Sequence, residues 1–178
     1  LPATTITTGS NIVIDGDVPT VSSITSSTAD GSYGVGASID VTVTFSEAVT
    51  LDAAASLDVT LDTGDVVSIT GPQGPAASFS ATYTVGAGDS SADLDSTNIS
   101  LSAGTIVDAA SNNATIALPA TTIADGSNIV ITTAPLTINN GALASDNNYI
   151  DVAFSEGVYS TGGGSGALDT GDFTRIFS

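Results

Sequence analysis

An internal repeat is the feature that most constrains what this chain can fold into. Residues 1–14 read LPATTITTGSNIVI and residues 118–131 read LPATTIADGSNIVI, so one segment recurs 117 residues after its first copy. Each copy leads into a short linker that ends in proline, DGDVP at Pro19 and TTAP at Pro135. Self-similarity at a fixed period is typical of structural units arranged in an array. The linkers therefore predict the boundaries between units.

The repetition continues past the linkers. The stretch VTVTFSEAVT (41–50) recurs as IDVAFSEGVY (150–159), and LDTGD (61–65) recurs as LDTGD (168–172). The chain is therefore expected to be a slice through a longer array. The predicted parts are the last strand of a preceding unit (1–15), one complete unit (16–133) and the N-terminal part of the next unit (134–178).

The local pattern within the complete unit is that of β-strands. Apolar and polar side chains alternate in SIDVTVTFSE, SLDVTLD and SFSATYTV, as they do in strands that are buried on one face. Further strands are expected at 19–26, 65–70, 97–102, 104–107 and 128–132, with turns at 29–36, 70–75 and 86–93. The predicted inward-facing side chains are Ile39, Val41, Val43, Phe45, Leu57, Val59, Leu61, Phe79, Ala81, Tyr83 and Val85.

About seven strands in such a unit predict an all-β fold, an immunoglobulin-like Greek-key β-sandwich repeated in tandem. A small barrel or a jelly roll has a similar number of strands. The sandwich is preferred because repeated units must join end to end. The hydrophobic content of 41% is sufficient for a packed core.

The charge balance excludes several classes of partner. The chain has 19 acidic residues and a single basic one, Arg175, which gives a formal net charge of −18. Nucleic acids and anionic lipid surfaces repel such a chain, because binding to either depends on lysine and arginine. The carboxylates also have almost no internal cation to pair with. A metal cation, or a high-salt medium that hydrates the surface, is expected to neutralise them.

Three segments carry a family resemblance: 18–50, which ends in TFSEAVT, YTVGAGDSSADLD (83–95), and GTIVDAASNNATIAL (104–118). They resemble the immunoglobulin-like repeats of large bacterial surface proteins, including biofilm-associated and repetitive adhesins and S-layer arrays. In the third segment Ser111 stands where the D-A-A-G-N turn of these repeats usually has glycine. The resemblance implies an extracellular, cell-surface location and leaves function open, because such modules serve as adhesins, lattices and spacers.

Clustered carboxylates in loops favour calcium, which binds six to eight hard oxygen ligands. In sandwiches joined end to end, the linker D-x-D could meet a strand-end glutamate and a second D-x-D loop at one pole, an arrangement resembling cadherin-type joints. The predicted calcium ligands are Asp15, Asp17, Glu47, Asp93 and Asp95. Asp108 with Asn112 or Asn113 forms another oxygen-rich turn. The alternative is a set of solvated acidic turn residues, since aspartate favours turns for local reasons.

The second linker is an internal control for this hypothesis. Thr132 and Ala134 stand where the first linker has Asp15 and Asp17. If a metal stiffens the joints, the second joint is expected to bend more. The alternative is that Asp146 and Asp151 in the next unit partly replace the missing linker carboxylates.

Catalysis is limited by the residues that are available. Histidine and cysteine are absent and there is no lysine, which excludes the ordinary triads, thiolate nucleophiles and zinc sites. The two D-T-G motifs, at 62–64 and 169–171, occupy equivalent places in a repeat, so their carboxylates cannot form the contacting pair of an aspartic protease. The expected role is structural or adhesive, with neighbouring repeats as partners. The alternatives are a filament or surface-layer subunit that assembles by strand complementation, and a ligand-binding adhesin module.

Overall fold

The computed structural model describes residues 14–133, 137–143, 145 and 150–154. Strands make up the regular structure of these residues, which contain a single 3₁₀ turn at Ile123–Asp125 and no helix that is long and apolar enough to span a membrane. In chain order the strands are β1 (Val21–Thr25), β2 (Gly31–Tyr33), β3 (Ser38–Leu51), β4 (Ser56–Leu61), β5 (Val66–Thr70), β6 (Gln73–Thr84), β7 (Ser90–Ser91), β8 (Ser96–Ala103), β9 (Ile106–Val107), β10 (Ile129–Thr132), β11 (Ile138–Leu143) and β12 (Ile150–Phe154).

The fold is all-β and consistent with a β-sandwich. One sheet has the order β1-β3-β6, with β9 also paired to β3, and a second sheet has the order β5-β4-β8; every pair in these two sheets is antiparallel. A third, smaller sheet joins β2 to β10 in parallel and β10 to β7 antiparallel. Strands β11 and β12 pair with each other.

One hydrophobic cluster lies between these sheets. The predicted inward face of β3 is buried, with Ile39, Val41 and Val43 at 0% exposure, and so is the predicted face of β4. On β6 and just after it, Phe79, Tyr83 and Val85 are buried while Ala81 is partly buried against the cluster. The alternation of the sequence thus identified the core face of the long strands.

Two short strands lie in segments whose composition predicted turns. Strand β2 falls within 29–36 and β7 within 86–93, and β10 pairs with both. The segment 70–75, also predicted as a turn, ends inside β6. The first D-T-G motif is a turn between β4 and β5, where Gly64 has a φ of 94°. Its second copy lies outside the described residues.

The strand directions define two poles of the unit. The register of β3 with β6 runs from Ser38 opposite Thr84 to Leu51 opposite Gln73. We call the end near Leu51 the linker pole, since β9 pairs there and the first linker leads to it. The end near Ser38 and Thr84 is the far pole. The nine residue-to-residue steps from Ser38 to Glu47 span roughly 30 Å at about 3.3 Å per step.

Candidate metal centre

The first linker is fixed to the linker pole by backbone hydrogen bonds. Thr115 N donates to Pro19 O at 2.8 Å, and Ser46 N donates to Thr20 O at 2.8 Å. Within the linker, Asp17 N donates to a carboxylate oxygen of Asp15 at 3.1 Å, which closes a local turn. The first two bonds hold the end of the linker beside Thr115 and beside Ser46 of β3.

Asp108 is a buried carboxylate, 6% exposed, in the turn that follows β9. Its Oδ1 accepts hydrogen bonds from Ala110 N and Asn112 N, each at 2.8 Å. In this turn Ser111 has a φ of 71°, the left-handed region that glycine adopts at least cost.

The Asn112 amide connects this turn to the linker. Its Nδ2 donates to Asp108 Oδ2 at 2.8 Å, to Asp17 O at 3.0 Å and, more weakly, to Asp15 O at 3.4 Å. Asp108 and Asn112 therefore form one hydrogen-bonded assembly with the backbone of the linker. Asp108 Oδ1 accepts two hydrogen bonds and Oδ2 accepts one, so Oδ2 is the oxygen with more remaining acceptor capacity.

Glu47 completes the group from β3. The register of β3 with β6 shifts between Thr44 and Val49, and Glu47 lies within this irregular stretch, a type of distortion that re-aims side chains near functional sites. One carboxylate oxygen each from Asp15, Glu47 and Asp108 lie within 4.8 Å of one another. Among the described residues, this is the one group of three or more potential metal-ligating side chains found this close together.

The electrostatics of the group are those of uncompensated negative charge. Desolvation, followed by the charges of Asp15, Asp108 and Asp17, raises the pKa of Glu47 above its ordinary value of 4.5. Burial also acts to raise the pKa of Asp108, but hydrogen bonds from Asn112 and Ala110 outweigh it and the net shift is downward. Desolvation and, after it, the neighbouring negative charges thus both oppose the ionisation of Glu47.

The predicted ligands Asp93 and Asp95 lie at the far pole, away from Asp15 and Glu47. Asp95 N donates to Asp62 Oδ1 at 3.2 Å, in the turn that ends β4. Asp95 Oδ1 accepts from Ser96 N at 2.8 Å and from Ala124 N at 3.3 Å. Asp93 Oδ1 is buried and has no hydrogen-bond partner. The five predicted ligands therefore do not form one site.

The structure instead brings Asp108 to the linker. The sequence marked Asp108 and Asn112 as an oxygen-rich turn but placed them in a separate group. The signal that could have joined them is the short apolar pair Ile106–Val107, which pairs with Thr50 and Leu51 just beyond Glu47. The charge of Asp17 helps to raise the pKa of Glu47. Asp17 is not, however, one of the three carboxylates whose oxygens lie within 4.8 Å of one another.

Comparisons with protein-family models, with curated proteins and with solved structures found no match in any of the three. The class that the chain's own residues define is an acidic all-β protein with a three-carboxylate group at the pole where its linker enters.

Proposed function

We propose that this chain is a tandem-repeat module of a secreted bacterial cell-surface protein, with a structural or adhesive role and no catalytic one. Its complete unit, 16–133, is proposed to be an immunoglobulin-like Greek-key sandwich. Calcium held by Asp15, Glu47 and Asp108 is proposed to fix the linker against the unit. The partners are then neighbouring repeats or subunits of the same protein.

The observation that carries the proposal is that a linker carboxylate meets two carboxylates of the folded unit. Asp15 belongs to the linker, whereas Glu47 and Asp108 belong to β3 and to the turn after β9. Like charges placed together oppose folding unless a cation neutralises them. The residues that the structure describes include no lysine, arginine or histidine that could supply a positive charge. An external cation is the simplest source of compensation.

The donor set suits calcium. Two ligands on one ion at about 2.4 Å can lie at most about 4.8 Å apart, and the three carboxylate oxygens satisfy this limit. Asp108 offers Oδ2, while Asp15 and Glu47 can each bind through one or both oxygens. Asn112 Nδ2 faces the linker carbonyls, so its role is to hold the cage together. Water would complete the six to eight ligands that calcium takes.

A cation at this point would convert a flexible connection into a stiff joint. Binding would tie the linker to two elements of the unit at once, which restricts the angle between successive units. The second linker has Thr132 and Ala134 in place of the two linker carboxylates. The joint at the second linker would then be more pliable than the joint at the first.

Thermal unfolding of the chain in EDTA, in 10 mM calcium, and in sodium chloride of matched ionic strength tests the proposal. A site with a Kd of about 0.1–1 mM, in the range of extracellular modules, would stabilise the folded state by about 1.4–2.7 kcal/mol. This corresponds to a rise in Tm of roughly 3 to 10 °C. Asp15→Asn and Glu47→Gln should each abolish most of the rise.

Asp65→Asn is the matched control, because it removes one carboxylate from the turn between β4 and β5 at the far pole. Its calcium response should equal that of the parent chain. If sodium chloride raises the Tm as much as calcium does, the acidic residues are a surface adapted to high salt, and the calcium joint is wrong.

A further inference from the structure

The second linker leaves the unit beside the connection from β6 to β7. We call residues 86–89 of this connection the exit loop; it follows the end of β6 at the far pole. Strand β10 ends at Thr132, which pairs with Ser90 of β7. The chain therefore reaches Thr133, a half-buried residue, next to the exit loop.

The hydroxyl of Thr133 makes two hydrogen bonds to this loop. Gly88 N donates to Thr133 Oγ1 at 3.0 Å, and Thr133 Oγ1 donates to Asp89 O at 2.8 Å. A threonine hydroxyl can donate and accept at the same time, and this one does both toward the backbone of neighbouring residues. Threonine is also stiff at χ1 because its side chain branches at Cβ, so holding the hydroxyl restrains the backbone of the linker.

The exit loop is itself anchored in the core. The carboxylate of Asp89 accepts hydrogen bonds from the hydroxyl of Tyr83 and from Gly86 N, and Tyr83 is a buried residue. Val85, which precedes the loop, is also buried and makes two backbone hydrogen bonds to the residues just before β3. The loop therefore presents its backbone groups to Thr133 from a fixed position.

Strand pairing alone does not account for the attachment of Thr133. The ladder of β10 with β2 ends at Ile131, and its ladder with β7 ends at Thr132. Thr133 lies beyond both ladders, where a chain tends to fray because its backbone is no longer paired. Its side chain supplies the attachment at the point where the ladders end.

The two linkers of the chain differ at this position. Thr133 lies 117 residues after Gly16, the same offset that relates the two copies of the repeat. Glycine has no hydroxyl, so the first linker cannot make these two bonds. The second linker in turn lacks the carboxylates that the first linker has at Asp15 and Asp17. Each linker therefore carries one kind of attachment and lacks the other.

We propose that Thr133 and the exit loop form a clamp that fixes the second linker, without a metal, to the unit that it leaves. The proposed calcium ion instead fixes the first linker, through Asp15, to the unit that it enters. The role of the clamp at a joint rests on the tandem arrangement proposed above, whereas the clamp itself is formed within one unit. The second joint is then pliable only on the side of the unit that it enters, and calcium removal loosens the first joint alone.

The test uses the full chain in EDTA, where calcium contributes nothing. Thr133→Val removes the hydroxyl and keeps the branched shape of the side chain. Exchange of the Gly88 amide proton with water, measured by NMR, should become about 10-fold faster, because this amide loses its acceptor and the linker loses both bonds. The heteronuclear NOE of the residue 133 amide nitrogen should fall at the same time. The Leu94 amide, which donates to Ile129 O, should keep its exchange rate because β10 stays in its sheet.

Two variants control for the substitution. Thr133→Ser retains a hydroxyl and should keep the slow exchange of Gly88. Thr132→Val changes the neighbouring residue, removes neither bond, and should also leave Gly88 as it is. The clamp is overturned if Thr133→Val leaves the exchange of Gly88 unchanged, if either control accelerates it as much as Thr133→Val does, or if Leu94 accelerates as much as Gly88.

Repeating the measurement in saturating calcium separates the clamp from the calcium joint. Nitrogen-15 relaxation of Gly16 should report slower motion with calcium in both the parent chain and Thr133→Val, while the exchange of Gly88 stays the same. A Gly16 that does not respond would contradict the calcium joint and leave the clamp standing. If calcium restores slow exchange of Gly88 in Thr133→Val, the metal can replace the hydroxyl and the clamp is not independent of it.

Discussion

Acidic side chains collect at both poles of the unit, and their hydrogen-bond partners differ between the two. At the far pole, Asp89 accepts from the Tyr83 hydroxyl at 2.5 Å and from Gly86 N at 2.6 Å, and Asp62 accepts from the Ser91 hydroxyl at 2.6 Å. At the linker pole, Asp15 and Glu47 instead face each other and Asp108. Internal donors serve Asp89 and Asp62 at the far pole, as they also serve Asp108 at the linker pole, but Glu47 is surrounded by the negative charges of Asp15, Asp108 and Asp17.

The pKa shifts reflect this difference. The hydrogen bond from Tyr83, followed by that from Gly86, lowers the pKa of Asp89, whereas desolvation and neighbouring charges raise the pKa of Glu47. A lowered carboxyl pKa means that the folded state favours the ionised carboxylate. A raised pKa means that the folded state favours the protonated acid. The contacts of Asp89 at the far pole therefore stabilise the folded state without a ligand, whereas the proposed calcium ion would relieve the opposition to Glu47 ionisation at the linker pole.

The largest expected effect is on the far pole. Tyr83 is 3% exposed, and Tyr83→Phe removes its hydrogen bond to a charged acceptor, so the free energy of unfolding should fall by about 2 kcal/mol. Urea unfolding should give the same decrease in EDTA and in calcium. Tyr33→Phe is the matched control, because the Tyr33 hydroxyl is exposed and donates to the neutral Ala29 O at 2.7 Å. A decrease that disappears in calcium would show that the two poles are not independent.

A smaller loss of stability is expected when the side-chain amide of Asn112, which holds the linker by hydrogen bonds, is removed. Asn112→Ala removes the hydrogen bonds to Asp108, Asp17 O and Asp15 O, which should cost about 1 kcal/mol and free the linker. Nitrogen-15 relaxation of Gly16 should then report faster motion, and the Kd for calcium should rise. The exposed neighbour Asn113 supplies the control, Asn113→Ala. Unchanged motion of Gly16 would mean that Asn112 does not restrain the linker.

Periodicity predicted the fold better than it predicted the site. Alternation identified the buried faces of β3 and β4 because a strand at the surface of a core must place every second side chain inward. Strands β2 and β7 were missed because three and two residues are too few to show a period, and pairing with β10 stabilises them. Alternation does not encode which strands pair, so it could not predict that β2 and β7 lie on either side of β10.

The site depended on which loops share a pole. Asp15 and Glu47 were brought together as expected, since a linker must enter near the end of a strand. Asp93 and Asp95 were misplaced because the pole of a loop is set by the direction of the strands on either side of it. Asp108 was left out because its position depends on the pairing of β9 with β3. Both errors arise from topology rather than from residue chemistry.

The smallest and most specific effect is on the ionisation of Glu47. Its pKa is raised in the folded state, so protonation stabilises the fold, and this stabilisation is lost as the pH rises through that value. Four other carboxyls have lowered pKa values, so their ionisation stabilises the fold: Asp52, Asp58, Asp89 and Asp108. Their contribution to stability is present above a pH of about 3.8, the ordinary pKa of aspartate. It is lost as the pH falls below that value.

Carbon-13 NMR of the side-chain carboxyls can isolate Glu47, since the chain has two glutamates and Glu47→Gln assigns its signal. In EDTA the Glu47 carboxyl should titrate above 4.5. Asp15→Asn should lower that pKa, because Asp15 is the largest of the neighbouring charges that act on it. Saturating calcium should lower it further, since a bound cation favours the ion. A Glu47 pKa that neither Asp15→Asn nor calcium moves would mean that desolvation alone sets it and that the three carboxylates do not act as a unit.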